Sequence, residues 1–113
     1  MNIEDFRNYC IQLPGTTEET PFGPDVLVLK VMGKMYALCS ISNFESINLK
    51  CDPERAVLLR EQHDQIIPGY HMNKTHWNTV MVDGLSDTFI IELINHSYTL
   101  VKDSLPKKLK DLL

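Results

Sequence analysis

Three short runs follow one another in the first half of the chain: VLVLKVM (26–32), MYALCSI (35–41) and SINLKC (46–51). The first two are apolar and contain β-branched or aromatic residues, and Gly33-Lys34 is a two-residue connection of the kind that makes a tight hairpin. SNFE (42–45) is the next turn. The third run alternates cleanly: Ile47, Leu49 and Cys51 point one way, and Ser46, Asn48 and Lys50 the other. A sheet with one buried and one wet face explains that alternation.

Helical patterns flank these strands. Ile3, Phe6, Cys10 and Leu13 recur at helical spacing, Asn2 with Asp5 makes an N-cap signature, and Pro14-Gly15 ends the helix. TTEETPFGPD (16–25) reads as a loop, because Pro21, Gly23 and Pro24 oppose regular pairing. Asp52-Pro53 opens a second helix, with its apolar residues expected on one side. DQIIP (64–68) is a short strand or an extended segment. WNTVMVD (77–83) is the last strand, with Val80 and Val82 inward and Trp77, Thr79 and Met81 on the opposite face. In the final helix Ser86 is the N-cap, and Ile90, Leu93, Ile94, Ser97, Val101 and Leu105 form one stripe. Pro106 ends it, and KKLKDLL (107–113) is a basic, apolar tail. The order α-β-β-β-α-(β)-β-α predicts an α+β domain, an antiparallel sheet with helices packed on one face. The other face, partly open to water, would present Lys30 and Lys50 with Trp77 nearby.

The chain has 113 residues, enough for one modest core, and shows no linker or repeat, so residues 1–113 are read as a single domain. The opening MNIEDFRNYC lacks a basic, apolar signal pattern, and no stretch approaches a membrane span. Cys10, Cys39 and Cys51 are odd in number and widely spaced, each at an apolar position. They read as reduced, inert thiols of a cytoplasmic protein. A formal charge of −4 means that any nucleic-acid role needs a local basic surface.

The chemistry concentrates in PGYHMNKTHWNTV (68–80), which holds His71, Lys74, His76 and the chain's one tryptophan, Trp77, and no acidic residue. His71 and His76 do not have the spacing of a helical ligand pair, and no cysteine lies beside them, so neither a metal nor another cofactor is expected. No nucleophile elbow, P-loop or Gly-rich phosphate fingerprint occurs, and no partner orients a histidine as a base, so no catalytic residue is assigned. Trp77 is either an anchor between loop and sheet or a stacking surface for a base. Lys107, Lys108 and Lys110 are either a solvated face or weak phosphate contacts.

GYHMNKTHWNTV, together with KVMGKMYAL, PFGPD, DPERAVLLREQH and SYTLVKDSLPKKL, resembles the bacterial MmcQ/YjbR family along essentially the whole chain and in the same order. The resemblance implies a frataxin-like (CyaY-like) topology and DNA binding through a double-wing arrangement, and it carries over no catalytic residue; with no catalytic motif in the sequence, a non-enzymatic module is expected. The matching positions are Lys34 in the hairpin and His71, Asn73, Lys74, His76 and Trp77 in the motif. Frataxin-like iron binding is not expected to follow. The first helix offers only Glu4 and Asp5, and VLVLKVM offers no carboxylate. Duplex DNA, held weakly and in a salt-dependent way, is therefore the expected partner. The alternatives are a protein-interaction (adaptor) domain using the same surface around His71–Trp77, and a small-molecule binder or enzyme.

Overall fold

A computed structural model describes residues 1–69 and 72–113. In chain order the elements are helix α1 (Ile3–Ile11), strands β1 (Thr16–Glu19), β2 (Val26–Val31), β3 (Lys34–Ser40) and β4 (Ser46–Lys50), helix α2 (Pro53–Gln62), strands β5 (Ile66–Pro68) and β6 (Trp77–Met81), helix α3 (Asp87–Asp103) and a single helical turn, α4 (Lys107–Lys110). The strands form one antiparallel sheet in the order β1-β2-β3-β4-β6-β5.

The starts of α1, α2 and α3 follow from local chemistry. Asn2 and Asp5 form a reciprocal capping box, the Asp52 carboxylate accepts from the Arg55 N–H ahead of Pro53, and the Ser86 hydroxyl accepts from the Phe89 N–H. The core lies between the helices and one face of the sheet. Phe6 and Cys10 of α1 and the stripe of α3 meet Leu29, Ala37, Ile47, Leu49 and Val80 there. Ser97 is the polar member of the stripe. It is buried, and its hydroxyl donates to the Tyr36 carbonyl at 2.5 Å and accepts from the Lys50 N–H at 2.9 Å. One hydroxyl thus ties α3 to both β3 and β4 without leaving a buried polar atom unpaired.

Four features differ from the sequence reading. Residues 16–19 are not loop but edge strand β1, paired with β2 from Thr16↔Val31 to Glu19↔Val28. The prolines begin only after it, and short, charged edge strands are ordinary sheet borders. The hairpin turn is Met32-Gly33 rather than Gly33-Lys34. Both residues have positive φ (48° and 87°), and Lys34 already pairs with Val31. Two left-handed residues give a turn whose twist matches the strands. Helix α2 does not gather its apolar residues on one side: Ala56 and Leu59 are buried, but Val57 and Leu58 are exposed. Finally, β3 carries a bulge. Leu29 pairs with Ala37 but Lys30 pairs with Met35, so Tyr36 is the extra residue.

The bulge decides which side chains reach each face of the sheet. Tyr36 turns into the helix-side core, fully buried, edge-on to Tyr98 at 5.4 Å and hydrogen-bonded to the Thr16 hydroxyl at 2.9 Å. Met35 then falls on the open face, in a small cluster with Val28, Leu38 and Trp77. Lys34, opposite the core residue Val31, shares the helix side.

Candidate functional site

The loop between β5 and β6 is held from below. Gly69 donates its N–H to the Trp77 carbonyl at 2.9 Å, and a Cβ on Gly69 would sit 2.9 Å from that same oxygen. No larger residue fits there without moving backbone. The Asn73 side chain accepts from the Thr75 N–H at 2.9 Å, and its carbonyl accepts from the N–H groups of His76 and Trp77 at 3.1 and 2.9 Å. Arg60, from α2, clamps the whole turn. Its guanidinium donates to the Asn78 carboxamide at 2.6 Å, to the Trp77 carbonyl at 3.3 Å and to the Lys74 carbonyl. The Cys51 N–H donates to the His76 carbonyl at 2.8 Å. With the backbone satisfied inward, the side chains of Asn73, Lys74, Thr75 and His76 are exposed.

Trp77 does not share that exposure. Its ring is 9% exposed and packs against Val28 and Leu38 on the open face. It is the anchor of the loop rather than a stacking surface. His71 lies outside the described residues. Arg60 does not stand out in the sequence. The available signal is its position four residues after the buried Ala56, on the same side of α2.

Two other histidines have structural roles. His63 packs its ring against Phe89 at 4.9 Å, and His96 accepts the Asp52 N–H at 3.1 Å. Among the described residues no three His, Cys, Asp or Glu side chains gather into a metal-sized group. The three cysteines are free and buried. Burial pushes the Cys10 and Cys39 thiols up to about 12 and also raises Cys51, which removes the thiolate that reactivity needs.

The topology sorts charge along the sheet. The β2–β3 turn, the end of β4 and the start of β6 share one end, because Lys50 pairs with Trp77 and Val31 with Lys34. Lys30, Lys34, Lys50 and Lys74 therefore all lie toward that end. The tail joins them: Leu109 and Leu113 pack onto the core edge, and Leu113 lies by Gly15 and Met32. That adds Lys107, Lys108 and Lys110. Asp52, Glu54, Asp103 and Asp111 are among the acids there, with Glu19 beside Lys30, and ion pairs engage Lys107 with Asp111 at 3.3 Å and Lys30 with Glu19 at 3.2 Å. The opposite end holds Asp25, Glu45, Asp83 and Asp87, with Glu4 and Asp5 at the start of α1. A chain of net charge −4 is thus polarised, with lysines in excess at one end.

Fold and charge together define a small α+β domain with a six-stranded antiparallel sheet, helices on one face, and a lysine-rich end that carries a braced, acid-free loop. Residues 11–100 match the YjbR family model, and the chain belongs to the YjbR family. It is 35% identical to the uncharacterised protein YjbR of Escherichia coli K12, over all of this chain and 98% of that one. It is 38% identical to the uncharacterised protein YbdF of Escherichia coli O157:H7, over 93% of this chain and 88% of that one. The crystal structure of Deinococcus radiodurans protein DR2400, of family-model domain DUF419, superposes with a TM-score of 0.91 at 40% identity, covering 97% of this chain and 86% of that one.

Proposed function

We propose that this protein is a non-enzymatic, cytoplasmic DNA-binding module that meets the duplex backbone with the lysine-rich end of its sheet. The proposal takes with it the frataxin-like topology and the double-wing arrangement, with the β2–β3 turn and the 72–77 loop as the two tips. The observation that carries it is the clustering of Lys34, Lys50 and Lys74 at one end of an acidic chain, with the 107–110 lysines beside them. Phosphate contacts need a local cationic surface rather than a basic protein. Lys34 lies on the helix side and Lys50 on the open face, so the contact is end-on, with the cations straddling a backbone. Asn73 and His76 supply polar contacts from a loop whose backbone Arg60 already satisfies. Trp77 acts by holding that loop. The contact needs no cofactor.

The test is a fluorescence-anisotropy titration of duplex DNA at low and moderate salt. With so few cations the binding is weak, and its salt slope corresponds to roughly two to four phosphates. Replacing Lys34 and Lys74 together by Glu abolishes binding and leaves the fold intact, because both side chains are exposed. No binding at about 50 mM salt and about 100 µM protein, where a phosphate-dominated contact is strongest, would overturn the proposal. Binding undiminished in the double variant would overturn its placement. The same loop would then stand as the surface of an adaptor domain, whose affinity for a protein partner depends far less on salt.

A further inference from the structure

The open face of the sheet is not uniformly wet. Val28, Leu38 and Trp77 are buried there although the helices pack on the other side. Beside them is a concavity of about 740 Å³ walled by Phe22, Met35, Leu38 and Met72. That volume lies in the range that takes small organic molecules rather than single waters. Phe22 is 62% exposed, a large apolar ring standing at the rim. Two of the walls are methionines, whose flexible thioethers adapt to a guest's shape.

Two carboxamides also line this concavity, Asn48 and Asn73. Each has its oxygen engaged. Asn48 Oδ1 accepts from the Thr79 hydroxyl at 2.6 Å, and Asn73 Oδ1 accepts from the Thr75 N–H at 2.9 Å. An amide with its oxygen used presents its NH2 group, and neither Nδ2 has a partner among the described residues. Lys50 lies two residues beyond Asn48 on the same face of β4. The polar side of the concavity therefore offers amide donors; Ser40 and Ser46 also line it, and the Lys50 cation lies beyond it on β4. Its apolar side offers only van der Waals contact. A guest must match both.

We propose that this concavity binds a small amphipathic carboxylate, an alkyl or aryl acid. Its apolar body lies on Met35, Leu38 and Met72, and its carboxylate accepts from the Asn48 and Asn73 amides. A cationic or purely apolar molecule of the same size leaves these donors unanswered. The site shares Asn73 with the DNA contact, but Phe22 and Asn48 are not among the residues of that interface, so variants at those two positions test it separately.

The experiment is an NMR titration of the ¹⁵N-labelled protein with sodium decanoate, and in parallel with decyltrimethylammonium. Decanoate produces saturable shifts at Met35 and Leu38 and at the side-chain amides of Asn48 and Asn73. It binds at least about tenfold more tightly than the ammonium, a factor worth about 1.4 kcal/mol. Asn48→Asp keeps the acceptor for Thr79 but sets a negative charge against the carboxylate, and weakens decanoate binding by about tenfold or more. Phe22→Ala, at an exposed position that folding does not need, weakens it several-fold and keeps the test decisive should Asn48→Asp misfold. No saturable shifts up to about 10 mM decanoate, a limit far weaker than a built site gives, would overturn the proposal. So would equal binding of both head groups, binding unchanged in both variants, or shifts confined to the lysine-rich end.

Discussion

Trp77 shows how one residue can matter to a site without touching a ligand. Its carbonyl accepts from Gly69 and Arg60, its N–H returns to the Asn73 carbonyl, and its ring fills the open-face cluster with Val28 and Leu38. Truncation would empty that cluster and release the turn. Trp77→Ala is expected to destabilise the fold by about 3 kcal/mol, the usual range for a buried large aromatic. A lowered urea midpoint checks this, and an unchanged midpoint would mean that the ring carries no packing. Arg60 works on the same turn from the other side. A single guanidinium answers two carbonyls and a buried carboxamide, adding to the backbone bonds that hold the exposed residues 73–76.

At the scale of elements, the β2–β3 hairpin sets which lysines face where. Its two turn residues are both left-handed, and the bulge one step into β3 reverses the facing of residues 34 and 35 relative to a regular strand. Gly33 sits in open space, so a methyl group there meets no neighbour and the cost of Gly33→Ala is conformational alone. The expected loss is about 1–2 kcal/mol, the penalty of a left-handed non-glycine residue. Thermal or urea unfolding of the variant measures it. A variant as stable as the parent would show that the turn changes type at no cost. Met32, the other left-handed residue, already bears that penalty and packs against the core.

Among the described residues, two groups couple stability to pH on the acid side. His96 is held below the ordinary histidine value, first by burial and then by the nearby Arg55 guanidinium. Its Nε2 accepts the Asp52 N–H, so the neutral ring carries its proton on Nδ1. Below about pH 6.5 the unfolded chain takes up a proton that the folded state resists. Stability from this group is complete above that pH and is lost as pH falls toward the folded-state value. Asp25 is held below the ordinary carboxylate value by hydrogen bonds from the Ser40 hydroxyl and the Ser42 N–H, and gives a second loss below about pH 4. Urea midpoints should therefore be level near neutrality and decline from about pH 6.5 downward, with His96→Gln removing the first decline and leaving the second. A first decline that survives in the variant would assign it to another group.

The caps at Asn2, Asp52 and Ser86, the period-two alternation of β4 and the stripe of α3 are properties of a few consecutive residues. A single chain therefore displays them, and the structure has them where the sequence puts them. The same holds for Val80 facing the core and Trp77 the opposite side, since alternation along one strand settles it. The edge strand β1 is different: Thr16–Glu19 is a strand only because β2 lies beside it. The bulge at Tyr36 depends on Tyr98 and Thr16, 62 residues after it and 20 before, and no local pattern around residue 36 encodes them. Arg60 over the 73–77 turn, lysines from β2, β3, β4, the loop and the tail at one end, and Asn48 and Asn73 on one concavity all join residues distant in the chain. Pairing order and helix packing bring them together, because the sheet satisfies its backbone between strands and the core closes over whichever side chains that pairing presents.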